Sequence, residues 1–177
     1  MSDAQKYSGA IRYVYEKGLM NGVGDDRFAP SAELTRAMVV TTLYRIEKEP
    51  SVTRTGSFRD VQSGMWYTQA VEWAAENGIV LGYGDGRFGP QDPVTREQLA
   101  AILARYAALK GYSCSSRAAL DAVPDAAKIS AYAQEAVKWA LAYTILDTDG
   151  TYLRPRENAT RAEVAMALYA FLEKAAK

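Results

Sequence analysis

The chain of 177 residues contains no histidine and one cysteine, Cys114. Without histidine it lacks the commonest general base and the commonest transition-metal ligand. A lone thiol forms neither an intrachain disulfide nor a zinc site by itself, and Cys114, within GYSCSS, reads as an incidental linker thiol. No apolar run approaches the roughly eighteen residues of a membrane-spanning helix. The opening MSDAQKYSGA also lacks the apolar stretch of an export signal, so the chain is expected to be intracellular or a piece cut from something larger. An excess of either charge is missing too: Lys plus Arg and Asp plus Glu both number 21, so no overall field steers the chain to nucleic acid or to an anionic membrane. Any anion recognition must be local.

What the chain does have is material for a core, since 49% hydrophobic against 24% charged residues places it with globular domains rather than disordered tails. It also repeats itself. NGVGDDRFAPSAELTRAMVV and LGYGDGRFGPQDPVTREQLA match at a constant offset that pairs Tyr7 with Tyr67, Gly18 with Gly78, Gly22 with Gly82, Gly24 with Gly84, Phe28 with Phe88, and Arg36 with Arg96. A third copy, LDTDGTYLRPRENATRAEVA, needs gaps: Trp139 matches Trp73, Ile145 matches Ile79, Asp149 and Gly150 match Asp85 and Gly86, and Thr160 and Arg161 close the unit. Fixed-period self-similarity of this kind marks a repeat architecture, with units over 1–50, 51–114 and 115–177.

Each unit reads as helix, loop, helix. In the second, a helix is expected over Tyr67 to Asn77 with Gly78 as its stop. The next helix begins behind Thr95, an N-cap with Gln98 three positions on; Thr160 with Glu163 repeats this capping box, whereas the first unit has Met38 there. Behind the caps, Leu99, Ile102, Leu103 and Tyr106 form an apolar stripe at helical spacing. Val164, Ala167, Leu168 and Phe171 match it, as do Val39, Leu43 and Ile46. Two short helices cannot bury such a stripe alone, so an all-α fold with a central three-helix bundle is expected. The lead-ins to the second and third units share a further pattern, an Asp (Asp60, Asp125), an aromatic (Trp66, Tyr132), then Ala-Val and a Trp (Trp73, Trp139). The first copy starts too late to show its Asp, which reads as a shortened repeat or a cut boundary.

This ordered combination resembles three tandem S-layer homology repeats, through Phe58, Asp60, Val61, Trp66, Ala70, Val71, Trp73, Gly78, Ile79, Gly82, Asp85, Gly86, Phe88, Pro90 and Thr95 to Glu97. The resemblance implies a pseudo-threefold, three-prong spindle with the second helices at its centre. It also implies a module outside the cell, in the bacterial cell wall or S-layer, that anchors a larger exported surface protein without a covalent bond. The implied partner is secondary cell-wall polysaccharide bearing pyruvylated N-acetylmannosamine, held in grooves between the prongs, with no cofactor.

On that reading Arg36, Arg96 and Arg161 are the leading ligand residues, because each sits in a helix first turn, where unpaired N–H groups and the helix dipole favour a carboxylate. Bracing of the prongs through pairs with Asp60 or Asp125 is the alternative. Gly22, Gly24, Gly82 and Gly84 either supply positive-φ turns or let a sugar approach the backbone. Trp66 offers a ring face to a sugar, Trp73 and Trp139 read as core, and Phe28, Phe88 and Tyr152 as plugs pinning the loops. The second copy is the most complete, so the groove using Arg96 is ranked first and Arg161 lower.

Other motifs fail on spacing. DTDGTYLRPREN, residues 147–158, has its glycine at the wrong place for a calcium loop and ends in Asn158. GYGDG lacks the lysine of a phosphate loop, and nothing marks one acid as the partner of another for glycoside hydrolysis. No enzymatic activity is expected. A module that binds protein, or itself, without a glycan is the competing function.

Overall fold

The computed structural model describes residues 3–23, 27–112 and 115–176; Gly24 and Cys114 lie outside them. Six α-helices carry the fold: α1 (Asp3–Glu16), α2 (Arg36–Ile46), α3 (Thr68–Glu76), α4 (Arg96–Lys110), α5 (Gln134–Ala142) and α6 (Arg161–Ala170), the last running into a π turn over Phe171–Ala175. Among the described residues there is no sheet, only three isolated β-bridges, and no helix is long and apolar enough to cross a membrane. The all-α expectation therefore holds.

The helix starts follow from their sequences. Thr35, Thr95 and Thr160 are all extended N-caps whose hydroxyls accept from the backbone N–H three residues on. The capping box closes at Thr95 with Gln98 and at Thr160 with Glu163, while Met38 leaves the first one half made. At the stop position, Gly18 (φ 65°) and Gly78 (φ 68°) are left-handed, and Thr144 takes the same turn at φ 55° in spite of its branched side chain.

The packing unit is not the sequence unit. Among the described residues the closely packed helix pairs are α2 with α3, α4 with α5, and α6 with α1. The second helix of each repeat is thus covered by the first helix of the next, and the third repeat returns to the first. This satisfies every apolar stripe without any unit burying its own: Val39, Leu43, Leu99, Leu103, Val164 and Leu168 are each at most 1% exposed.

The same order is written in hydrogen bonds between the repeats. Leu34 donates to Ala159 (3.3 Å), Ala159 to Val94 (2.8 Å) and Val94 to Leu34 (2.9 Å), a closed ring just ahead of α2, α4 and α6. At the far end of these helices, the Tyr106 ring lies 5.5 Å from that of Phe171, and its hydroxyl donates to Glu47. These contacts tie the far end of α4 to those of α2 and α6.

Candidate functional site

The first turns of α2, α4 and α6 do not offer the vacant N–H groups expected of them. Arg36 N donates to Asp92 O (2.9 Å) and Ala37 N to Pro90 O (3.2 Å). Arg96 and Glu97 donate likewise to Glu157 and Pro155 (2.9 and 2.8 Å), and Arg161 and Ala162 to Ala32 and Pro30 (2.7 and 2.9 Å). Each helix start is docked on the loop of the next repeat, and the N-cap threonine takes the third donor. Recognition of an anion by these backbone groups is therefore ruled out, and only side chains remain.

The three arginine side chains cross the same boundaries. Arg36 Nε donates to Phe88 O (2.7 Å), Arg96 Nε to Leu153 O (2.9 Å) and Arg161 Nε to Phe28 O (2.7 Å). They brace, but not through the acids expected. Asp60 accepts instead from the backbone N–H of Phe88 and Gly89 (both 2.8 Å), and Asp125 from Leu153 and Arg154 (2.9 and 2.8 Å). These carboxylates clamp the loop of their own repeat. Phe88 is a buried plug, but in the third repeat Leu153 (0% exposed) fills that place and Tyr152 (50%) points outward. The shifted loop moved the plug by one residue. Trp73 and Trp139 are core, as expected.

Beyond the shared brace the arginines differ. Arg96 is 1% exposed and enclosed by partners: Nη1 pairs with Glu163, and Nη2 with the backbone oxygen and carboxylate of Asp147. Arg161 Nη2 donates to Asn21 O (2.6 Å), and its guanidinium lies over Phe28 at 4.6 Å. Arg36 lies over the rings of Tyr83 (4.6 Å) and Phe88 (4.7 Å), and among the described residues no carboxylate is within ion-pair distance of it. It is 5% exposed and lines a bay of about 370 Å³.

That bay is assembled from all three repeats. Arg36 comes from the first; Val80 to Gly84 and the Gln98, Ala101, Ile102, Arg105 face of α4 come from the second; Tyr132 comes from the third. Gly82 is left-handed at φ 68°, and a Cβ there would lie 2.5 Å from Arg87 O and 2.6 Å from the Phe58 ring. Both the turn and the close approach thus require glycine. Gly84 (φ 88°) has open space around it. In the first loop, Gly22 packs beside Arg27 O without a positive φ. Tyr132 is held at the rim by Glu97, which accepts from its hydroxyl (3.4 Å) and from Ser130 N and Oγ (2.9 and 2.7 Å). Burial and the neighbouring Glu97 push the Tyr132 hydroxyl up to about 12, so it stays a donor. Burial pulls the Arg36 and Arg105 guanidinium groups below their ordinary values, the sign of cations poorly compensated by water.

Of the residues singled out by sequence, the bay unites Arg36, Gly82 and Gly84. It leaves Arg96, Arg161, Asp60, Asp125, Trp66 and Gly22 elsewhere; Trp66 is 54% exposed, edge-on to Tyr67 at 5.2 Å. Arg105, Gln98, Tyr83 and Tyr132 were missed as site residues. A signal existed for two of them: Gln98, Ala101, Ile102 and Arg105 share helical spacing one step round α4 from the core stripe. Among the described residues, no group of His, Cys, Asp and Glu is arranged to hold a metal ion.

Comparison with known proteins matches the S-layer homology domain to residues 1–37, 57–100 and 124–165, most of the chain. Over 93% of its length the chain is 34% identical to an amylopullulanase of Thermoanaerobacterium thermosulfurigenes, and over 99% it is 31% identical to an endoglucanase of Bacillus sp. (strain KSM-635). Over 98% it is 27% identical to the surface-layer 125 kDa protein of Lysinibacillus sphaericus. It spans 9%, 19% and 15% of those three proteins.

Proposed function

Since this chain belongs to the S-layer homology domain family, we propose that it is a noncovalent anchor that holds a longer surface protein to the bacterial cell wall, and that the Arg36 bay takes the acidic sugar of a secondary cell-wall polysaccharide, pyruvylated N-acetylmannosamine. The module role draws on the relatives. Proteins named as an amylopullulanase, an endoglucanase and a surface-layer protein share with this chain only a minor part of their length. A segment common to such different proteins suits attachment rather than any one chemistry, and no catalytic step is assigned to it. The three repeats would stand as prongs of a spindle about the hydrogen-bonded axis, over 1–50, 51–114 and 115–177.

The observation that carries the sugar assignment is Arg36 itself. It is a cation with no carboxylate within ion-pair distance among the described residues, next to Arg105 in a concave bay. A ketal carboxylate would supply the missing charge, and charge-assisted bonds to Arg are about twice as strong as neutral ones. Tyr132 would offer a ring face to the sugar, Tyr83 holds the Arg36 guanidinium against its own ring, and the glycine-rich turn at Gly82 and Gly84 lets the sugar lie close to the backbone. The test is sedimentation with purified wall sacculi before and after chemical removal of the polysaccharide, together with calorimetric titration of the free sugar acid and its methyl ester. Binding is expected only to intact sacculi and to the free acid. Equal sedimentation with stripped walls, or equal affinity for the ester, refutes the assignment and favours a protein-binding module.

A further inference from the structure

In two of the three repeats the loop is pinned by the segment that leads into its unit. In the second, Tyr44 Oη donates to Pro50 O (2.9 Å) and Ser57 N to Glu72 (3.1 Å), which lays 50–57 along α2 and α3. The Phe58 ring then meets that of Phe88 (5.5 Å) beside Gly82. Asp60 takes the N–H groups of Phe88 and Gly89, the latter in a left-handed turn (φ 72°). Asp125 does the same for Leu153 and Arg154 (φ 58°). The repeat alignment gives the first unit no counterpart of Asp60, yet its loop keeps the same turn. Ala29 sits at φ 51° in spite of its Cβ, and Arg161 Nε holds Phe28 O at 2.7 Å from the other side. Among the described residues, neither the Phe28 nor the Ala29 N–H has a hydrogen-bond partner.

We propose that the seam of α1 and α6, together with the Phe28–Ala29 turn, is a docking track for an extended segment of another polypeptide that carries an aromatic residue two places before an aspartate. Successive N–H groups around a left-handed residue form a concavity that binds an anion, and both equivalents in this molecule hold a carboxylate. The seam repeats the contrast. Tyr13 and Tyr169 meet at 5.1 Å as Trp73 and Tyr44 meet at 5.6 Å. Yet α3 buries Val71, Glu72 and Trp73, whereas α1 leaves Ile11 and Tyr13 half-buried and Arg12 exposed. A groove of about 330 Å³ lies there, walled by Tyr13, Met166 and Tyr169. Phe28 is likewise half-buried, against 0% exposure for Phe88. The chain's own segments of this kind are engaged at Phe88 and Leu153, so a second copy has none to lend. The track shares no residue with the Arg36 bay and needs no sugar.

The probe is a synthetic peptide copying residues 50–61, PSVTRTGSFRDV, titrated into the full, unsubstituted chain and followed by amide NMR. Saturable shifts are expected at the Phe28 and Ala29 amides and beside Tyr13 and Tyr169. A second peptide carrying Asp60→Asn is expected to bind about tenfold more weakly or worse, because it offers no charged acceptor to the two N–H groups. Three outcomes overturn the proposal: no saturable shift, equal affinity for the two peptides, or shifts at Phe88 and Gly89 in place of Phe28 and Ala29, which would mean exchange with the chain's own segment. Sedimentation is run alongside without peptide. A dimer whose formation shifts the same amides would give the track to a second copy and overturn it as well.

Discussion

Arg36 of the first repeat places its Nε 2.7 Å from the carbonyl oxygen of Phe88 in the second. That bond braces a repeat boundary, and the same side chain lines the bay. Bracing and binding compete as explanations when only the sequence is read, but one planar guanidinium has donors enough for both: the brace takes Nε, and the proposed sugar contact would use the others.

Arg105 carries the bay's second cation without a hydrogen bond or ion pair of its own among the described residues. Arg105→Gln is therefore expected to lower affinity for the acidic sugar by about 1.5 to 3 kcal/mol, the range for a hydrogen bond to a charged group. Stability should change by less than about 0.5 kcal/mol, as for a substitution away from the core. Calorimetry paired with a thermal melt separates the two effects.

Arg96→Ala should behave oppositely. Removing Arg96 takes one member from a buried ion pair and leaves Glu163 with only the partly exposed Arg154 as its cation, a cost of up to about 3 to 5 kcal/mol, so urea unfolding is expected to register the change while the Arg36 bay still binds in the folded fraction. A variant as stable as the parent contradicts the pairing described here.

Leu103 is fully buried on α4, in the stripe shared by the three second helices. Leu103→Ala is expected to cost about 2 to 5 kcal/mol. A midpoint shift in urea worth only a few tenths would place Leu103 outside the core.

Burial pushes the Asp125 carboxyl up, but the N–H groups of Leu153 and Arg154 outweigh it and hold the group below its ordinary value. A carboxylate depressed in the folded state contributes stability at pH values above its unfolded pKa of about 3.9, and that contribution is lost as pH falls through the lower folded value. Stability measured from pH 6 down to pH 2 should fall less steeply in Asp125→Asn than in the parent. Parallel curves would show that the clamp is not titrating.

Gly82 and Gly84 separate two reasons for glycine. Gly82→Ala meets Arg87 O and the Phe58 ring as well as an unfavourable φ, whereas Gly84→Ala meets only the φ. The first is expected to cost at least about 1 kcal/mol more than the second, and to weaken sugar binding because Phe58 and the turn must shift. Equal melting temperatures for the two would remove the close-approach argument.

Much of the fold is readable from the chain because the forces that set it are local. Thr95 and Gln98, or Thr160 and Glu163, lie three residues apart and recognise each other within one turn. The stripe of Leu99 and Leu103 needs only helical periodicity. The repeat then multiplies each signal. The site was less legible, since Arg36, Arg96 and Arg161 each follow a capping threonine, and the residues beside them (Ala37 and Met38, Glu97 and Gln98, Ala162 and Glu163) do not show which distant partner each arginine meets.

By itself, then, the sequence determined that there would be three like units of two helices, where the second helices begin, and that each begins with an arginine. Only the tertiary structure decided which loop each helix start docks on and which of the three arginines is enclosed by carboxylates. Arg96 meets Asp147 and Glu163 across 51 and 67 residues, while Arg36 lines a bay whose wall has Leu81 and Gln98 at the equivalent positions. Coulombic pairing depends on distance in space, and closing three repeats into a ring sets those distances only after the whole chain has come together.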